Sequence, residues 1–206
     1  MVTTPPTLIV FGGSFNPPHN AHVAVAEAAL HSVENSRVLW TPAATPPHKQ
    51  DDVDLASAEH RLAMVRLATA GNGRFEVSDL EIRRGDVSYT VDTLRALKEE
   101  RSEAELAVLI GGDSLADFPR WREPKAILEM ARLLVYARPG APRGSVPEWI
   151  GERTIFLDAP PLDLSSTMLR ERIRAGRSWR YLISDSVPAY IDRYMLYRQR
   201  ILCGVA

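Results

Sequence analysis

The chain has 206 residues, 45% of them hydrophobic, enough to bury a full core within the size range of one domain. Its 25 Lys and Arg against 26 Asp and Glu leave a net charge of −1, which excludes the basic footprint of a DNA- or RNA-binding protein. Cys203 is the only cysteine, so no intrachain disulfide forms, and neither a secretory leader nor an apolar stretch of bilayer length is present; a cytoplasmic protein without a membrane partner is expected.

In chain order, an apolar strand is expected over residues 7–11, running into Gly12-Gly13-Ser14-Phe15-Asn16-Pro17-Pro18-His19-Asn20-Ala21-His22. Glycines there let backbone approach a phosphate closely. Pro17 and Pro18 hold the chain extended before Asn20, read as the N-cap of an alanine-rich helix over 21–33. His19 and His22 then share one side of the first helical turn, beside unpaired amides and the positive end of the helix dipole. Such an array suits a phosphate passing through a charge-rich transition state. Ordinary surface histidines are the bland reading. Zinc is disfavoured because no third ligand follows nearby.

A second strand is expected over 37–41, then a Pro-rich loop over 41–54 that is a candidate lid and carries His48 and Lys49. A helix over 57–70, a strand over 75–78 and a helix over 90–100 follow. The fourth strand, 107–110, ends at Gly111-Gly112-Asp113. Asp113 suits a ribose hydroxyl or a phosphate-bound Mg²⁺, or else caps the next helix. Trp121 stacks on a flat ring or packs in the core. Arg122 adds a cation to the pocket if it turns inward and is surface charge if it turns outward. Beyond a helix over 124–131, a strand over 133–137 leads to Arg138 in a loop over 138–147, and a sixth strand spans 154–157. Ser165-Ser166-Thr167 open a helix over 167–175 that stops at Gly176; their amides and hydroxyls suit a triphosphate, and Arg170 one turn on reaches the same anion. Arg172, Arg174, Arg177 and Arg180 are read as a solvated basic face, and a last helix spans 187–194.

Alternating strands and helices predict an α/β fold, a Rossmann-like doubly wound parallel sheet. Right-handed crossovers gather the strand C-terminal ends on one edge, where the motifs fall and where such sheets bind ligands.

The Gly12 to His22 stretch resembles the GG(T/S)FDPxHxGH signature of the nucleotidyltransferase superfamily, specifically of bacterial nicotinate mononucleotide adenylyltransferases. Pro46-Pro47-His48-Lys49, Ser88-Tyr89-Thr90, Gly111 to Leu115, Trp121, Arg138-Pro139-Gly140 and Ser165 to Arg170 resemble further blocks of that family in order, over nearly the whole chain. Asn16 departs from the usual Asp and Ala21 from the usual Gly; Asn keeps size and a hydrogen-bonding oxygen, so activity is expected to survive. The resemblance implies a nucleotidyltransferase-type fold and transfer of AMP from ATP to nicotinate mononucleotide, with Mg²⁺ arriving on ATP and no metal site of the protein's own. It implies catalytic roles for His19, His22 and Arg170. ATP is assigned Gly12, Gly13, Ser14, Phe15, Lys49, Gly111, Asp113, Ser165, Ser166 and Thr167. The mononucleotide is assigned Asn16, His48, Thr90, Val91, Trp121, Arg122 and Arg138, with its carboxylate on the backbone amides near Thr90, Val91 and position 122. A homo-oligomer is left open. The alternatives are an adenylyltransferase preferring nicotinamide mononucleotide or phosphopantetheine, and a nucleotide sensor without catalysis.

Overall fold

The computed structural model describes residues 5–47, 52–136 and 146–198 of the protein. Among them, six strands form one sheet in the order β3-β2-β1-β4-β5-β6, every pairing parallel: β1 (Thr7–Gly13), β2 (Ser36–Pro42), β3 (Phe75–Val77), β4 (Glu105–Gly111), β5 (Ala131–Tyr136) and β6 (Thr154–Phe156). All six expected strands are present, and the order is that of a doubly wound dinucleotide-type sheet. The inner strands are buried on both faces, which is why they read as continuous apolar runs rather than alternating ones.

Side-chain parity divides the core. Leu8, Val10, Val108 and Val135 point to one face, where they meet Val91, Leu94 and Leu97 of α4 (Thr90–Glu100) and Ile127 of α6 (Pro124–Met130). Ile9, Phe11, Leu109 and Leu134 point to the other, against Val25, Ala26, Ala29 and Leu30 of α1 (Asn20–Ser32). A third cluster joins Met64 of α2 (Ala58–Thr69) to Ile173 of α8 (Ser166–Arg174) and to Val187 and Ile191 of α9 (Ser186–Arg193). Short helices α3 (Leu80–Arg84), α5 (Gly112–Asp117) and α7 (Glu148–Gly151) fill connections in which sequence periodicity had too few residues to register. Among the described residues, no helix is long and apolar enough to cross a membrane.

The sheet opens where its winding reverses. β1 and β4 pair only as far as Val10 and Val108, whereas β1 continues beside β2 to Gly13 and β4 continues beside β5 to Gly111. Two strand ends thus diverge and leave a crevice between them.

Its rim is fastened by Arg61 of α2, which is 0% exposed. The guanidinium donates to three backbone carbonyls, of Ala56 (2.9 Å), Ser14 (3.0 Å) and Ala44 (2.8 Å). The planar fork thereby holds the segments after β1 and after β2 at a fixed distance. Arg61→Met orphans three carbonyls in the interior, and urea unfolding should show a loss of about 3 kcal/mol or more. Arg61→Lys, with one compact ammonium in place of a fork, should recover less than half of it.

Candidate active site

The loop after β1 is shaped by Phe15, whose φ of 46° is left-handed and whose ring is 2% exposed. That ring packs on Phe11 (5.3 Å between centroids), Trp40 (5.2 Å) and His22 (5.2 Å). It lies so close beneath Gly13 that a Cβ there would sit 3.0 Å from Phe15 Cζ. Gly12 faces the other way, with nothing within 4 Å of a Cβ. One glycine is therefore dictated by the core and its neighbour by open space. Phe15, expected at ATP, has its side chain in the core, which leaves only its backbone for a ligand.

His19 is the N-cap of α1, in place of the Asn20 read from the sequence. Asn20 is drawn off by another partner: its side chain donates to the Tyr181 carbonyl (2.7 Å) and its amide to that of Leu182 (3.1 Å). His22 Nδ1 accepts the His19 backbone N–H at 3.1 Å, fixing Nδ1 as the acceptor and leaving Nε2 to carry the proton of the neutral ring. The two imidazoles stack 3.7 Å apart at 26°.

The start of α8 docks on the same loop. Ser165 is its N-cap, accepting from the Met168 amide (3.2 Å), and the Ser166 hydroxyl donates to the Pro17 carbonyl (2.8 Å). Arg170, 5% exposed, donates through Nη1 to the Asn16 carbonyl (3.0 Å) and through Nη2 to Thr167 Oγ1 (3.3 Å). Its buried Nε has no hydrogen-bond partner among the described residues. His19, His22 and Arg170 are thus brought together on one short loop. Of the four arginines read as a solvated face, Arg174 forms an ion pair with Asp54, and that guanidinium holds the Asp54 carboxyl below its ordinary range.

Asn16, expected at the mononucleotide, has its side chain turned into the fold. It is 0% exposed, its Nδ2 donates to the Asp54 carbonyl (2.9 Å), and its Oδ1 accepts from the Ala56 amide (3.0 Å) and the Tyr197 hydroxyl (2.8 Å). Every polar atom of the side chain is used within the fold.

On the far side of Gly12, Gly13 and Ser14 lies a cavity of about 550 Å³. β4 forms its floor through Val108, Leu109 and Ile110, and Ala43, Pro46 and Pro47 wall it after β2. Opposite them stand Tyr89, Thr90, Asp113, Trp121 and Arg122. Trp121 is half-buried against Phe118 (5.3 Å) and also lies on the cavity wall. Arg122 belongs to the rim, with its guanidinium 4.8 Å above the Tyr89 ring and 3.5 Å from Asp92 Oδ2. Val91 is 0% exposed, so it offers only its amide, which with that of Thr90 opens α4 without an intrahelical acceptor. Asp113 does not cap its helix: Gly111 occupies the N-cap, and the exposed Asp113 carboxylate faces the cavity. His19, His22, Arg170 and Ser165 to Thr167 are not among the cavity walls.

His48, Lys49, Arg138 and the middle of the candidate lid lie outside the described residues. The lid's near end is fastened, with the Ala43 amide on the Gly13 carbonyl (3.0 Å) and the Ser88 amide on that of Thr45 (3.0 Å).

Sequence reading missed Glu81 on α3. Its side chain belongs to the cavity wall, is 5% exposed, and accepts from Thr93 Oγ1 at 2.6 Å. Burial pushes its carboxyl above the ordinary range, against hydrogen bonds from Thr93 and Ser88 that favour the charged form. Nothing in Leu80-Glu81-Ile82-Arg83-Arg84 separates it from a surface glutamate except proximity to the Ser88-Tyr89-Thr90 block.

The sequence model of the cytidylyltransferase-like family matches residues 10–172. A protein of Salinibacter ruber named "Probable nicotinate-nucleotide adenylyltransferase" is 44% identical over 93% of this chain and 98% of its own. One of Roseiflexus castenholzii with the same name is 46% identical over 92% and 96%. Among solved structures, the Plasmodium falciparum nicotinic acid mononucleotide adenylyltransferase complexed with NaAD superposes with a TM-score of 0.73 at 20% identity, covering 93% of this chain and 97% of that one. That likeness is one of fold.

The two glycines separate by experiment. Gly12→Ala should leave stability within about 0.5 kcal/mol while lowering ligand affinity, because its methyl enters only the approach to the loop. Gly13→Ala should lower stability by about 1–3 kcal/mol through overpacking on Phe15. Thermal unfolding and calorimetric ATP titration of both variants measure the difference.

Proposed function

The chain belongs to the cytidylyltransferase-like family and, within it, to the nicotinate-nucleotide adenylyltransferases, and from that premise we propose that it transfers the AMP unit of ATP to the 5′-phosphate of nicotinate mononucleotide. Nicotinate adenine dinucleotide and pyrophosphate are the products, in the biosynthesis of NAD. One observation carries this reading. Gly12, Gly13 and Ser14 line the Trp121 cavity, and the stacked histidines and Arg170 are tied to the residues that follow them, Phe15 and Asn16, which supports a triphosphate and a flat acceptor meeting at this loop.

The acceptor phosphate has a second pKa of about 6 and is already a nucleophile near neutral pH, so the reaction needs neither a general base nor a covalent intermediate. It attacks the α-phosphorus in line as the bond to the β-phosphate oxygen breaks, and pyrophosphate leaves. His19 and His22 hydrogen-bond the phosphoryl oxygens as charge builds, assisted by the amides at the start of α1. Arg170 directs its unused Nε to the same anion while keeping the Asn16 carbonyl in place, and Ser165 to Thr167 steady the leaving group at the start of α8. In the acceptor pocket, Trp121 stacks on the pyridine ring, and the Thr90 and Val91 amides receive its carboxylate. Asp113 offers the kind of hard carboxylate oxygen that magnesium takes. When bound with ATP, the ion supplies charge neutralisation to the departing pyrophosphate. We place the reaction in the cytoplasm.

Arg122 at the rim, beside the Tyr89 ring, favours an acidic over an amidated acceptor. Pyrophosphate release with ATP should therefore be faster with nicotinate mononucleotide than with nicotinamide mononucleotide or phosphopantetheine. Release with no acceptor at all would leave only a nucleotide-binding role. His19→Ala should lower kcat about a hundredfold or more with little change in stability, whereas Trp121→Ala should act chiefly on KM for the mononucleotide.

A further inference from the structure

The transfer just described makes no use of Glu81, a carboxyl group on the acceptor side of the site. Two hydroxyls join it to the walls around it. Thr93 donates at 2.6 Å from the first turns of α4, and Ser88, whose Oγ accepts the Ala44 amide at 3.0 Å, directs its own proton to Glu81. The charged groups facing it are Arg61 from α2 and Arg84 from α3 itself, with Asp113, Asp117, Arg120, Arg122 and the Tyr89 phenol elsewhere on the cavity wall. Arg61 is spent on three carbonyls, while Arg120 pairs with Asp117 and Arg122 with Asp92.

Thr93 stands one helical turn, about 5 Å, beyond the Thr90 amide. A substrate carboxylate held at the start of α4 is therefore a close neighbour of Glu81, and two negative carboxylates at that separation oppose each other strongly. On the acceptor reading above, we propose that Glu81 is a specificity-determining residue: as a neutral acid it admits an acidic pyridine mononucleotide, and on losing its proton to solvent it disfavours that acceptor while leaving the amide acceptor unaffected. Burial raises the carboxyl above its ordinary range and so works in favour of the permissive form.

The test measures kcat and KM for nicotinate and nicotinamide mononucleotides from about pH 6 to about pH 9, in the wild type and in Glu81→Gln. Both acceptors carry the same 5′-phosphate, so its titration cancels in their ratio. The wild-type preference for the acid should fall roughly tenfold or more with rising pH, through KM rather than kcat. Glu81→Gln keeps the shape and should make the ratio flat. Thr93→Val removes a donor that favours the charged form and should move the wild-type midpoint to higher pH, a response a purely structural contact would not give. Brisk turnover with a ratio that is flat in the wild type, or that falls equally in Glu81→Gln, overturns the proposal and spares the acceptor assignment. Absence of nicotinate mononucleotide turnover at every pH overturns both.

Discussion

Asn16 is the knot on which the site depends. A fully buried amide is tolerable only if its donor and acceptor are both satisfied, and here the Asp54 carbonyl, the Ala56 amide and the Tyr197 hydroxyl do so while Arg170 takes the backbone carbonyl. Three segments distant in sequence converge on one residue whose side chain is fully buried. His19 follows three residues later, so the position of the imidazole pair is inherited from this arrangement. The Asn found where the family pattern has Asp is consistent with it, since Nδ2 donates to a carbonyl that a carboxylate would face as a second acceptor.

Around that knot the protein divides its work. Cationic and imidazole groups lie at the starts of α1 and α8. Aromatic and amide surfaces lie on the side of α4 and Trp121. The boundary is the glycine loop, and it falls where β1 and β4 cease to pair. Arg61 ties the segments after β1 and after β2 to α2, which fastens one margin of the opening.

Much of this was readable from the chain. All six strands and their parallel arrangement follow from apolar runs alternating with helical periodicity, because buried parallel strands leave that pattern with few exceptions. The glycine loop, the histidine pair and the Ser165 cap could be placed because local geometry governs them. What escaped was set by distant partners. Asn20 makes a good cap in isolation, yet Tyr181 and Leu182 claim its hydrogen bonds and leave the cap to His19. Asn16, Arg61 and Glu81 are polar residues whose burial follows from contacts with segments elsewhere in the chain, and polarity in a sequence reads as exposure.

The Tyr197 hydroxyl bond carries a consequence for how the molecule comes into being. Tyr197 is 181 residues downstream of Asn16, and ribosomes add about 5–20 residues per second, so on the order of ten to forty seconds separate the synthesis of the loop from that of its last fastener. All six strands precede Tyr197 in the chain, so the whole sheet is synthesised before this hydrogen bond can close. Birth order thus sets the framework ahead of the clasp on its first loop.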